Sequence, residues 1–181
     1  MTPEFKYVSP YLPYKANCVW TREDDKQEIE STLTISDYEF LIKKNSAKLV
    51  LRSLLDIAEE MEFNGEKITP IIELAKISGF HYKFGEIVNE NDTIVLYSKP
   101  VKHPSANSPL IKHFFEIDLD NCDFDWGFVF FDKDDKKEVE TVFFPIRNQV
   151  ELINKLLEWN FDIFNLIPKG LAFPYNKSKE K

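Results

Sequence analysis

Apolar and polar residues alternate along much of this chain, and a period of two predicts strands rather than helices. From Glu28 to Ile35, the residues Ile29, Ser31, Leu33 and Ile35 fall on one side and Glu30, Thr32 and Thr34 on the other. Asn17 to Thr21 reads as the pairing strand, across the charged link REDDKQ. Phe80 to Val88 and Thr93 to Ser98 predict a second hairpin, turning at NEND. LIKHFFEIDL, FDWGFVFF and EVETVFF predict three further strands, the last two joined by DKDDKK.

Three segments carry helical spacing instead. In 47–61, AKLVLRSLLDIAEEM, the residues Leu51, Leu54, Leu55, Ala58 and Met61 recur every three or four positions, and Asn64-Gly65 marks a tight turn beyond. PIIELAKIS has Thr69 at the N-cap position, Pro70 at the first helical position and Gly79 past the end. It does not open a helix-turn-helix, because the alternating FHYKFGEIV follows it. Asn148 and Glu151 stand at capping-box spacing and open a third helix carrying Leu152, Ile153, Leu156, Leu157 and Phe161. SPYLPYK, within a lead-in over residues 1–15, reads as extended. Residues 99–109, with three prolines, read as a long loop, and 174–181 as a polar, frayed tail. About seven strands and three helices, unevenly mixed, predict an α+β fold with a mainly antiparallel sheet. The length of 181 residues suggests a single domain over 1–181.

Composition sharpens this picture. Phe occurs 16 times and Gly 5 times, so burial rests on rings and the chain has few Gly-rich loops of the kind that wrap phosphate. A net charge of −8 argues against nonspecific contact with nucleic acid and with anionic membranes, and fits a soluble protein or one that binds a basic partner. The N-terminus has no continuous apolar run of signal-peptide type, and no apolar run reaches the length of a membrane span. A cytoplasmic protein is the expectation, with Cys18 and Cys122 as free thiols.

Few residues suggest chemistry. EIDLDNCDFDW groups Asp118, Asp120, Asp123 and Asp125, and clustered carboxylates hold Mg²⁺ or Ca²⁺. The same pattern is also what a solvated strand edge and turn looks like. Asp132, Asp134 and Asp135 suggest a calcium loop, but Lys136 stands where an oxygen ligand is needed. His81, His103 and His113 show no metal spacing, although His81 and His113 sit in predicted strands. GxSxG, GxGxxG, Walker A and HExxH are all absent, and no catalytic residue or cofactor is assigned. WNFDIFNLIPKGLA reads as a terminal helix with its return over the core. Its alternative is an exposed docking site at Trp159, Phe161 and Phe164.

PYLPY, LRSLLDI, GEKITPIIELAKI and LLEWNFDIFNLIPKGLA together resemble a group of uncharacterised proteins encoded by phages and prophages of Bacteroidetes-type bacteria. In that group the last motif carries His where this chain has Asn160, and Gly where it has Asn165. The resemblance implies a phage setting and a shared fold, and it carries no known activity. The expectation is therefore a non-enzymatic accessory protein that binds a phage or host protein, with a homo-oligomer compatible. A metal-dependent hydrolase or nuclease using the Asp118–Asp125 cluster is the second reading. The third is an acidic inhibitor of a host nucleic-acid-binding enzyme.

Overall fold

Residues 47–51 satisfy two periodicities at once, and the structure resolves the competition. In the computed structural model, which describes residues 2–22, 24, 26–39, 46–102, 110–131 and 137–175, AKLVL is a strand. Ala47, Leu49 and Leu51 are buried and Lys48 and Val50 half-buried, which is period two. The helix expected over 47–61 is thus corrected to β3 (Ala47–Leu51), a 3₁₀ turn (Leu54–Ala58) and the start of β4 (Met61–Phe63). The leucine spacing is real, but β3 gains ladder hydrogen bonds on both edges, and tertiary pairing overrides local preference.

The chain forms two compact units, one from residues 1–56 with 153–181, the other from 57–152. In the first, β1 (Asn17–Thr21), β2 (Glu28–Thr32), β3 and β12 (Ala172–Pro174) form a sheet ordered β12-β3-β1-β2. Its pairs are antiparallel except β12 with β3, which is parallel. The second predicted strand stops short, at Thr32, because Thr34 caps a helical turn, α2 (Ile35–Asp37), in a capping box with Asp37. The lead-in is also corrected. It is helical, with α1 (Phe5–Val8) and a 3₁₀ helix (Ser9–Tyr14) in which Pro10 and Pro13 supply φ values suited to a tight helix. That places Tyr11 fully inside the core, where its hydroxyl donates to the Phe161 carbonyl at 2.8 Å.

The C-terminal stretch closes this same core. α4 (Gln149–Glu158) ends earlier than its apolar spacing suggests. Asn160 takes φ 60°, the Phe161 N–H reaches back to the Leu156 carbonyl and the Asn160 N–H to Leu157, a Schellman ending with Asn in the glycine position. The turn that follows is organised by Asp162, whose carboxylate accepts from the Leu166 N–H at 2.8 Å and the Ile167 N–H at 2.6 Å. Gly170, at φ 68°, then sends the chain back into β12.

The second unit is built on an antiparallel meander. Its five main strands are β6 (Phe84–Glu90), β7 (Thr93–Ser98), β9 (Leu110–Asp118), β10 (Asp123–Phe131) and β11 (Glu138–Pro145), ordered β11-β10-β9-β7-β6. The short β8 (Val101–Lys102) pairs β9 beyond β7, and β4 pairs β5 (Glu66–Ile68) as a separate hairpin. The predicted strand beginning at Phe80 starts instead at Phe84, since Phe80 completes the ending of α3 (Pro70–Ile77) around Gly79. Asn148 and Glu151 do meet at the start of α4, but with the Asn148 amide as donor, to Glu151 and to the Ile77 carbonyl. Gln149 lies against β10 like a strand edge: its side-chain oxygen accepts from the Phe124 N–H and its amide donates to the Phe124 carbonyl.

Among the described residues there are four α-helices and twelve strands, more and shorter strands than the expected seven, in an α+β fold with mostly antiparallel pairing. No helix of the described residues is long and apolar enough to cross a membrane. Most of the proline-rich loop (103–109, with His103), Asp132 to Lys136 and the tail beyond 175 lie outside the described residues.

Candidate functional site

Cross-strand partners in an antiparallel sheet share a face, so the register of the meander assigns every side chain to one of two surfaces. One surface carries Ile94, Leu96, Phe115, Ile117 and Phe124, all buried, and belongs to the core. The other has a different composition. Tyr97 lies opposite Phe114, Phe114 opposite Gly127, and Gly127 opposite Phe143. Beside this aromatic row, Val95 lies opposite Glu116 and Glu116 opposite Asp125. Asp118 lies opposite Asp123, and Glu86 and Glu90 extend the acidic margin onto β6.

The result is an open cleft of about 470 Å³ with an apolar floor and an acidic rim. Val95, Phe114 and Val129 are buried as a small cluster, with Tyr97 and Phe131 packed on it. Phe114 meets Phe143 edge-on at 5.2 Å. Gly127 makes room for this arrangement, because a Cβ there would lie 2.0 Å from the Val142 carbonyl oxygen and 2.8 Å from the Phe114 ring. Glu90, Glu116 and Glu138 line the cleft around that floor.

The electrostatics follow from this layout. Tyr97 is pushed up to about 12, first by burial and then by Glu90, Glu138, Glu116 and Glu86, so its hydroxyl stays neutral and able to donate. Burial, followed by the charges of Asp125, Glu90 and Asp118, raises Glu116, and burial with Asp123 raises Asp125. These carboxylates repel one another and none of the causes acting on Glu116 is a cation. Lys112 on this surface is held by Glu86 at 2.7 Å, with its ammonium 5.4 Å from the Tyr97 ring and 5.5 Å from the Phe131 ring. The floor therefore already accommodates one ammonium over its rings.

The aspartates singled out from sequence are brought together only in part. Asp118 spends its carboxylate on its own turn, accepting from the N–H groups of Asp120 and Asn121 and from the Asn121 side chain. Those hydrogen bonds hold it below the usual carboxylate range. Asp120 is in that turn, while Asp123 and Asp125 join the acidic margin of the sheet surface. No three His, Cys, Asp or Glu side chains among the described residues are grouped as a metal would require.

His113 lies on the core-facing surface, where burial lowers it. It stacks on Tyr82 at 3.5 Å, and its Nδ1 is buried with no partner among the described residues. His81 is an exposed loop residue. Trp159 and Phe161 are buried, at 4% and 0% exposure, and Phe164 packs against Tyr7 and Tyr11, so the stretch offered as a docking site is core. Cys18 and Cys122 are free and buried, and burial raises both thiols, Cys122 to about 12.

Sequence reasoning missed Tyr97, Glu90, Glu116 and Glu138. Tyr97, Glu116 and Glu138 sit in strands that the alternation predicts, whereas Glu90 falls in the expected NEND turn and is instead the last residue of β6; their assembly depends on register between strands, which periodicity within one strand does not contain. Compared with known proteins, the chain matches no family model, no curated protein and no solved structure.

Proposed function

We propose that this chain is a non-enzymatic binding protein whose meander surface receives a basic segment of a partner protein. The observation that carries this reading is the distribution of carboxylates around an aromatic floor: Glu90, Glu116 and Glu138 surround Tyr97, Phe114 and Phe143. A catalytic metal would need these oxygens to converge on one point. Spread around a cleft, they match several separate positive charges, with rings between them for the stems of lysine or arginine. A phage or host protein as the bearer of that segment is the setting that the sequence resemblance supplies. An inhibitor that occupies a basic nucleic-acid site on a host enzyme would use the same rim.

The test is titration of the purified chain with a Lys/Arg-rich peptide and with an acidic peptide of equal length, monitored by NMR. Chemical-shift changes should appear for the basic peptide alone, centred on Tyr97 and Phe114. The double variant Glu116→Gln/Glu138→Gln should weaken binding by about tenfold or more, as expected for losing two charge contacts. Equal response to both peptides, or shifts centred away from the cleft, would overturn the proposal. Competition by duplex DNA for a basic host enzyme separates the inhibitor reading from a general docking role.

A further inference from the structure

The aromatic row of the cleft has the shape of an open box. Phe114 is its base, at 2% exposure, and the rings on either side stand steeply to it. Tyr97 is inclined at 60° with centroids 6.2 Å apart, and Phe143 at 74° with centroids 5.2 Å apart. Tyr97 is half-buried and Phe143 is 55% exposed, so both walls reach solvent. These spacings leave the two walls no more than about 11 Å apart, and a cation is attracted by a ring within about 6 Å of its centroid. One cationic group between the walls is therefore in reach of all three rings. Gly127 lies between Phe114 and Phe143 in the register and keeps the box free of a fourth side chain.

The groups around the rings select the kind of cation. Val95 and Val129 complete the apolar lining. Glu138 accepts from the Thr141 hydroxyl, and Glu86 holds Lys112. Glu116, two positions along β9 from Phe114 and half-buried, has no hydrogen bond or ion pair among the described residues. It is the half-buried charge beside the box that a guest would neutralise. A primary ammonium carries three N–H donors and a guanidinium five, and each donor that leaves water needs an acceptor that ring faces supply poorly. A trimethylammonium group has no N–H. It sheds its water at smaller cost and meets the rings through its methyl groups. We propose that the box formed by Tyr97, Phe114 and Phe143 binds a trimethylammonium group, with Glu116 as its counter-charge. The inference rests on the reading of this cleft as the seat of a basic segment, and it names the side chain received there: a lysine bearing three methyl groups.

The experiment titrates the full chain with three probes: a basic peptide, the same peptide with one lysine trimethylated, and choline. NMR follows the ring protons of Tyr97, Phe114 and Phe143. The trimethylated peptide should bind about tenfold tighter than its unmodified form, and choline alone should shift the same ring signals. Phe143→Leu keeps an apolar side chain at a half-exposed position but removes a ring face. It should abolish the preference while leaving the affinity for the unmodified peptide within about twofold. Equal affinity for the two peptides, with the ring signals moving in both, overturns this inference and leaves the basic-segment reading standing. Ring shifts with choline and none with either peptide keep the box and remove that reading. Silence with all three removes both. A preference that survives Phe143→Leu also overturns the inference, because the wall would then have no part in it.

Discussion

Single residues decide several features that no neighbour could supply. Tyr11 donates to the Phe161 carbonyl and accepts from the Ile163 N–H at 3.3 Å, so one buried hydroxyl ties the N-terminal helical turn to the last core segment. Tyr11→Phe should lower the free energy of unfolding by about 1–3 kcal/mol in urea titrations, the range for stranding a buried carbonyl and N–H. Gly127 is fixed by space and not by φ. Gly127→Ala should destabilise by about 1–3 kcal/mol, since the new methyl meets backbone oxygen that has no room to move. Glu116 brings a linkage effect. Its folded pKa is raised, so the folded state binds the proton more readily than the unfolded state. That contribution to stability is complete below the ordinary glutamate pKa and is lost as pH rises through the folded pKa. Glu116→Gln should therefore raise the melting temperature at pH 7 and flatten the rise in stability seen on acidifying through the carboxylate range. A variant less stable than the parent at pH 7 would contradict the repulsion described here.

At the level of elements, the endings matter as much as the interiors. α3 and α4 finish in the same hydrogen-bond pattern, with Gly79 in one case and Asn160 in the other at positive φ. Glycine carries no steric cost in that conformation, and Asn160 also leaves its side-chain oxygen buried without a partner among the described residues. Asn160→Gly should stabilise by about 0.5–1 kcal/mol, read from the denaturation midpoint, and a loss of stability would show that the asparagine side chain has a structural task. β3 teaches the complementary lesson. Its apolar residues fit a helix as well as a strand, and the outcome is set by pairing with β1 and β12, the latter from the far end of the chain.

At the scale of the molecule, a charge of −8 is not spread evenly. Acids gather on one surface of the meander, where Lys112 is already engaged with Glu86. Binding of a basic peptide should weaken as ionic strength rises, with most of the loss complete within physiological salt. Because Glu116 and Asp125 are raised, docking of cations should also lower them and release protons at acidic pH, which calorimetry in buffers of different ionisation enthalpy would detect. A heat of binding independent of buffer would place the cations away from these carboxylates.

The sequence by itself determined the α+β class, the meander strands β7, β9, β10 and β11, the helices around Leu74 and Leu156, and the core role of Trp159 and Phe161. Each of these rests on local periodicity or on a turn residue such as Gly79, and such signals are complete within a short window. Tertiary structure decided the rest: β3 over a helix, the helical lead-in that buries Tyr11, and the acid-rimmed cleft itself. Glu116 and Glu138 are 22 positions apart in sequence and share a surface only because β10 lies between their strands in a particular register. Which side chains meet across strands is fixed by pairing energies summed over the whole sheet, and alternation along one strand holds no record of that sum.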